Sequence, residues 1–195
     1  EIYTLSLHDA LPICMVRSNG GGNVQDAISI LNMFLPKGKT LLTMKGKIKS
    51  ANQTFATTVE PIDTVMPIVV MVNGQTASAS EITSGALQDF DRAVVLGTRT
   101  YGKGLVQVPN VPLPYNGKLK LTTAKYYIPS GRCIQAINYK HSKGGYTEHV
   151  PDSLTHIFHT AAGREVRDGG GIKPDVVVEA DSLPNIALYL ERVDT

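Results

Sequence analysis

The chain has 195 residues, of which 42% are hydrophobic and 18% charged, with a formal charge of +2. Those values describe a globular protein with a substantial core. They give no electrostatic footprint for nucleic acid, and no basic stripe interleaved with aromatics is present. No stretch has the length and apolarity of a membrane span. Cys14 and Cys133 lack metal-type spacing, and a disulfide and two free thiols are equally open from sequence. The five histidines (His8, His141, His149, His156 and His159) form no HExxH or other close ligand pair.

Residues 1–13, "EIYTLSLHDALPI", fit poorly with the rest of the chain. The segment has no basic n-region and carries Glu1 and Asp9, so it does not read as a signal peptide. It resembles the translated read-through of a sequencing adapter. On that reading residues 1–15 are a non-native segment, the true chain begins near Cys14 to Val16, and the segment packs poorly.

Residues 17–39 open with a glycine-rich turn, after which Val24, Ala27, Ile28, Leu31 and Leu35 fall on one helical face that Pro36 ends. "TLLTMKG" (40–46) and "TFATTVE" (54–60) read as strands, and "MPIVVMVNG" (66–74) as a buried one. A helix is predicted over 78–90, with Ile82, Ala86, Leu87 and Phe90 on one side, then a short buried strand at 93–97. Strand, helix, strand in that order implies a βαβ crossover and an α/β core.

Beyond residue 97 the pattern becomes β-rich, with "GKLKLTTAKYYIPSGR" (117–132) ending in a turn. Residues 138–171 are polar and glycine-rich, as in a surface insertion. One more strand is predicted at 172–180 and a closing amphipathic helix at 183–193.

The chemistry concentrates in two loops. In "NGQTASASEI" (73–82), Ser78 and Glu81 have capping-box spacing. A serine there faces the free N–H groups and positive dipole end of a helix, where the oxyanion of an acyl transfer would be stabilised. In "GTRTYGKGLVQ" (97–107) the spacing of Gly97, Gly102 and Lys103 approaches a phosphate-binding loop. It fails because Gly104 replaces the magnesium-binding Ser or Thr and the residues after it cannot begin a helix. The other use of such a lysine is as a base, which requires apolar surroundings to lower its pKa from about 10.4 to about 7–8. No GxSxG elbow or histidine triad motif is present.

Four motifs, "RSNGGG", "VNGQTASASEITSGALQD", "GTRTYGKGLVQ" and "LKLTTAKYYIPSGRCIQ", stand in the order and spacing of the carboxyl-terminal processing (tail-specific) proteases. The likeness resumes at "DGGGIKPDVVV". The chain thus resembles the S41-type serine peptidases. The resemblance implies an α/β, ClpP/crotonase-like β-β-α core with an additional β-rich C-terminal part. Residues 16–195 would be the C-terminal part of the catalytic domain, with a loop-rich insertion near 138–171 and a PDZ domain upstream in the intact protein.

It further implies Ser78 as nucleophile, Lys103 as general base and Gln107 as the residue that holds the lysine amine. Ala79 N–H would be one oxyanion donor and Gly21 or Gly22 the other. The activity implied is endopeptidase cleavage of unfolded or tail-exposed proteins with apolar C-termini, in the bacterial cell envelope, with no metal or organic cofactor and no nucleic-acid partner. Asp89 matches an acidic position important in some members and reads equally well as a solvated helix-end carboxylate. Gly20 stands where the family commonly has Pro, and Met15 where it has Asp. Two rival readings keep the fold without the activity: a non-catalytic binding protein, in which the dyad is lost, and an inactive truncated fragment.

Overall fold

A computed structural model describes residues 13–136 and 150–178. Two four-stranded sheets enclose a central helix. The first sheet is parallel, in the order β1 (Ile13–Met15), β4 (Ile68–Val72), β5 (Ala93–Gly97), β10 (Val176–Val177). The second is antiparallel, in the order β3 (Gln53–Ala56), β2 (Thr40–Gly46), β7 (Lys118–Tyr127), β6 (Leu105–Pro112). A small hairpin, β8 (Ile157–His159) with β9 (Glu165–Arg167), completes the described strands.

Helix α1 (Val24–Phe34) follows the predicted face. Ala27, Ile28 and Leu31 are buried, Leu35 behind them is buried too, and Asn23 caps the first turn by accepting from Gln25 N at 3.0 Å. The strands expected at 40–46, 66–74 and 93–97 are β2, β4 and β5, and the strand expected at 54–60 begins one residue earlier and stops at Ala56. The apolar run of β4 is explained by its place between β1 and β5. β1 lies at the sheet edge, with Ile13 and Met15 exposed, and residues 1–12 lie outside the described residues, as does the helix expected at 183–193.

Helix α2 (Ala79–Asp89) departs from expectation. The sequence suggests one apolar side, yet all eleven residues are buried, because α2 packs against α1, β5 and β2 at once. Gly85 is what allows this closeness. A Cβ there would lie 2.7 Å from Ile128 and 2.8 Å from Ile172. The helix's polar residues therefore need internal partners. Asp89 is not solvated: it is buried, accepts from Arg132 Nη2 at 2.8 Å and from Ser130 N at 2.9 Å, and burial pushes its carboxyl up against the pull of Arg132. Gln88 accepts from the same Arg132 nitrogen at 2.7 Å and donates to Asp175, whose carboxylate in turn accepts from Val95 N. The β7–Arg132 turn and the start of β10 are thereby fixed to the C-terminal end of α2.

Within 138–171, residues 138–149 lie outside the described ones. The remainder is tied into the body, since Arg164 pairs with Asp91 and Asp175 at 2.6 Å each and Gly171 N donates to Ile134 O at 3.0 Å. Both cysteines are free thiols, Cys14 in β1 and Cys133 beside Tyr127, and burial raises both above their ordinary value.

Breaking the buried pair from one side leaves Arg132 charged and unpaired. Asp89→Asn is expected to cost about 3–5 kcal/mol in urea denaturation. Asp89→Leu combined with Arg132→Met, which removes both charges, is expected to recover most of that loss.

Candidate active site

The two loops singled out in the sequence meet at one side chain. Glu81 lies in the first turn of α2, is fully buried, and accepts four hydrogen bonds. Its Oε2 accepts from Ser78 N at 2.9 Å and from Lys103 N at 2.9 Å. Its Oε1 accepts from Thr100 Oγ1 at 2.6 Å and from Gly102 N at 2.7 Å. Burial pushes the Glu81 carboxyl above its ordinary value and the four donors pull it back. The local half of this pattern is the capping box visible in sequence. The other three donors lie 19 to 22 positions away, and they bring the backbones of Ser78 and Lys103 to the same oxygen atom.

Ser78 sits between β4 and α2 with φ 58° and ψ −119°, a conformation that L-residues rarely adopt. Such backbone strain costs about 1–3 kcal/mol and persists only where surrounding bonds over-determine it. Here they do: Glu81 holds Ser78 N, Ile82 N donates to Ser78 O at 3.0 Å, and Ala77 N donates to Asn19 O at 3.0 Å. A sharp strand-to-helix turn with a strained serine at the helix N-terminus is similar in backbone form to a nucleophile elbow. It arises here without the GxSxG pattern. Ala79 is the first residue of α2, so its N–H has no carbonyl one turn back.

The glycine-rich turn closes over this serine. Gly21 adopts φ 98°, and a Cβ on it would lie 2.7 Å from Ser78 Cβ and 2.8 Å from Ala79 N. Gly21 N donates to Asn19 Oδ1 at 3.0 Å, whereas Gly22 faces open space. The turn is anchored by side chains of the opposite loop: Asn73 Oδ1 accepts from Ser18 N at 2.8 Å, and Thr76 Oγ1 donates to Val16 O at 2.8 Å. Asn73 and Thr76 belong to "NGQTAS", whose small polar residues are thus mainly clamps. Between this turn, β1 and the two helices lies a cleft of about 190 Å³, lined by Val16, Gly21, Ile30, Ala79 and Thr83 among others.

Lys103 stands between two glycines for a steric reason. A Cβ at Gly102 would lie 2.4 Å from Ala136 Cβ, and one at Gly104 2.8 Å from Gln135 N. The loop runs close against residues 134–136, with Gly104 N donating to Gln135 Oε1 at 2.6 Å. β6 begins at Leu105, in keeping with the argument against a phosphate loop. Lys103 is half-buried. Gln107 lies on β6 and donates to Thr122 Oγ1 at 3.5 Å, so Ser78, Ala79, Gly21 and the Lys103 backbone converge while the Gln107 amide is turned across the sheet.

Two contributors escaped the sequence reading. Thr100 donates to Glu81 and accepts from Ile172 N at 2.6 Å, which links the site to the segment before β10. Tyr126, buried on β7, donates its hydroxyl proton to Lys103 O, and its backbone N donates to Gly104 O at 3.0 Å. The alternation of β7 could have marked Tyr126 as inward-facing, but not what it meets.

Comparison with known proteins places the chain in a family. The profile of Peptidase family S41 matches residues 15–142. The chain belongs to peptidase family S41. A carboxy-terminal-processing protease of Bartonella bacilliformis is 46% identical over 122 residues, covering 63% of this chain and 28% of its own. The chloroplastic carboxyl-terminal-processing peptidase 1 of Arabidopsis thaliana is 41% identical over 115 residues, covering 59% and 23%. Among solved structures, the photosystem II D1 C-terminal processing protease superposes with a TM-score of 0.62 at 27% identity, over 93% of this chain and 38% of its own. This S41 chain spans about a quarter of the length of the curated relatives it matches.

Replacing Glu81 by Gln puts an NH₂ group against a pair of donors, of which at least one is a backbone N–H that cannot reverse. Glu81→Gln is expected to lower stability by about 1–3 kcal/mol, read from urea midpoints. The glycine turn gives a paired contrast. Gly21→Ala, strained in φ and in contact with the elbow, is expected to destabilise the fold, whereas Gly20→Ala, whose Cβ meets nothing within 4 Å, is expected to leave the thermal midpoint unchanged or slightly raised.

Proposed function

We propose that this chain is the C-terminal part of an S41 catalytic domain that cleaves polypeptides by acyl transfer to Ser78, with Lys103 as the general base. The observation that carries the proposal is the shared oxygen: Glu81 Oε2 accepts from the backbone N–H of both residues. Two loops that meet in this way on a strained serine at a helix N-terminus have the layout of a nucleophile and its base.

In the first step Lys103, as general base, takes the Ser78 hydroxyl proton as Oγ attacks the substrate carbonyl carbon. The carbonyl oxygen becomes an oxyanion, received by Ala79 N–H at the positive end of α2. The second donor comes from the glycine turn. Gly21 N–H is engaged by Asn19, which favours Gly22 for that role and leaves Gly21 as the residue whose missing Cβ lets the turn approach. The lysine ammonium then gives its proton to the leaving amine, and the acyl-enzyme forms. A water molecule, deprotonated by the same amine, attacks the acyl carbon; the ester bond to Ser78 Oγ breaks and the lysine ammonium returns the proton to that oxygen. Gln107 holds the amine in place. Its bond to Thr122, at 3.5 Å, is weak enough for the amide to turn.

The cleft beside Ala79 and Gly21 is small and mostly apolar, and suits an aliphatic side chain of the substrate next to the cleaved bond. We assign as substrates unfolded or tail-exposed proteins with apolar C-termini, delivered by a PDZ domain upstream in the intact protein, in the bacterial cell envelope. Among the described residues no helix is long and apolar enough to cross a membrane.

The test is cleavage of fluorescein-labelled denatured casein by the wild-type chain, Ser78→Ala and Lys103→Ala, each checked for folding by circular dichroism. Either substitution is expected to reduce cleavage at least about 1,000-fold. A folded Ser78→Ala that cleaves at the wild-type rate would overturn the assignment. A wild-type chain without activity would favour the non-catalytic readings of the fold.

A further inference from the structure

The parallel sheet has two faces, and the described residues fill one of them. Ile68, Val70 and Val72 of β4 and Ala93 and Val95 of β5 are buried in the core with Ile82, Ala86 and Leu87 of α2. The alternate residues of each strand point the other way. Register sets them side by side: Ile13 by Val69 and Val69 by Val94, then Met15 by Met71, Met71 by Leu96 and Leu96 by Val176. Each of these outer side chains is apolar. Yet Ile13 is 59% exposed, Met15 69%, Val94 46% and Val176 45%. A parallel sheet is normally covered on both faces, and a continuous apolar surface of this kind marks a docking site.

What covers it follows from where the chain goes next. β10 is the edge strand beside β5, and residues 179–195, which follow it, lie outside the described residues. Their sequence sets Leu183, Ile186, Ala187, Leu190 and Val193 on one face at helical spacing, with Ser182 as a cap and Pro184 in the first turn. Asn185 and Arg192 fall on the opposite side. We propose that residues 183–193 dock as a helix on the outer face of the parallel sheet, with Ile186 and Leu190 set against Met71 and Val94.

The lengths agree with this. Residues 179–182 span at most about 13–14 Å, enough to step over the roughly 10 Å between packed layers. A helix over residues 183–193 is about 16 Å long, and the five-residue strands β4 and β5 are about 17 Å. The helix therefore returns along the full height of the sheet. The inner face is closed to it because α2 packs there. The tether decides between this segment and a second copy of the chain, since a short linker holds the helix at a millimolar effective concentration. β10 supplies a further reason. It has only two residues, too short an edge to persist on hydrogen bonds alone, and a helix lying across Val176 and Leu96 presses it onto β5.

The test uses the full 195-residue chain with methyl-labelled Ile, Leu, Val and Met. The expected result is NMR cross-relaxation from the methyl groups of Ile186 and Leu190 to those of Met71 and Val94. In a mixture of chains labelled only at Ile and Leu with chains labelled only at Val and Met, these contacts are expected to vanish, because they arise within one chain. Contacts that survive the mixing would put a second copy on the face and overturn the proposal. A spectrum with no such contacts in the uniformly labelled chain would overturn it too.

A second measurement reads the covered surface directly. Leu190→Asp puts a charge against the sheet and is expected to undock the helix, raising the fluorescence of the apolar dye anilinonaphthalene sulfonate while near-UV circular dichroism shows the core still folded. Leu188→Asp, off the apolar side of the helix, is expected to bind dye as the wild-type chain does. Dye binding by Leu190→Asp at the wild-type level would overturn the proposal, and so would an equal rise in both variants.

Discussion

The Glu81 carboxylate is buried in the middle of the fold with four donors around it and none to spare, and the arrangement of both loops follows from that. An acceptor-only group suits the position because every neighbour donates. Taking a carboxylate out of water is expensive, and the cost is offset only while all four bonds are made together. The consequence is cooperativity. Ser78 N, Thr100 Oγ1, Gly102 N and Lys103 N must arrive as a set, so the elbow and the lysine loop cannot be placed independently. A residue readable from sequence as a helix cap is in three dimensions the joint between two halves of the site.

That joint explains the glycines and the strain nearby. Drawing the lysine loop up to Glu81 presses it against residues 134–136, where side chains at 102 and 104 would collide. Drawing the turn at residues 18–22 down to Ser78 leaves no room for a side chain at Gly21. Ser78 itself takes the unfavourable φ because its N–H must reach Glu81 while the chain turns from β4 into α2. Small residues here reflect close approach of backbones, not flexibility. The opposite end of α2 repeats the theme, with Asp89 and Arg132 bridging helix and turn inside the core.

What sequence could reveal divides by range. Helix α1 and strands β2, β4 and β5 were legible because their signals are local: apolar spacing, a stop at Pro36 and β-branched runs. The family likeness pointed to Ser78 and Lys103 as candidates, and helix-terminus chemistry says why a serine there would suit an oxyanion. The surroundings of α2 were not legible, since a helix enclosed on all sides and rich in Thr, Ser, Glu, Gln and Asp looks half-solvated by pattern alone. Its polar residues are satisfied by partners such as Arg132, 43 positions from Asp89, and no periodicity encodes that distance. Tyr126 was hidden for the same reason. A strand reading tells which face a tyrosine occupies, and only the packing of β7 under the lysine loop tells what its hydroxyl meets.

The reach of the network also says what the site needs in order to exist. Thr100 donates to Glu81 and receives Ile172 N, while Thr100 N donates to Ile172 O at 3.0 Å. The segment leading into β10 is therefore bonded to the same residue that orders the lysine loop. At the other extreme, the turn around Asn19 is clamped by Asn73 and Thr76 from across β4. Pieces from residues 16–22, 73–81, 100–104, 126 and 172 complete one hydrogen-bonded circuit around Ser78. Each link is worth only about 0.5–1.5 kcal/mol net, so no single bond explains a strained serine held at φ 58°. The circuit does, because relaxing the serine would break several links at once. Preorganisation at Ser78 is in this sense a property of the assembled fold, reached only when the parallel sheet has closed through β10 and the antiparallel sheet has brought Tyr126 beneath Lys103.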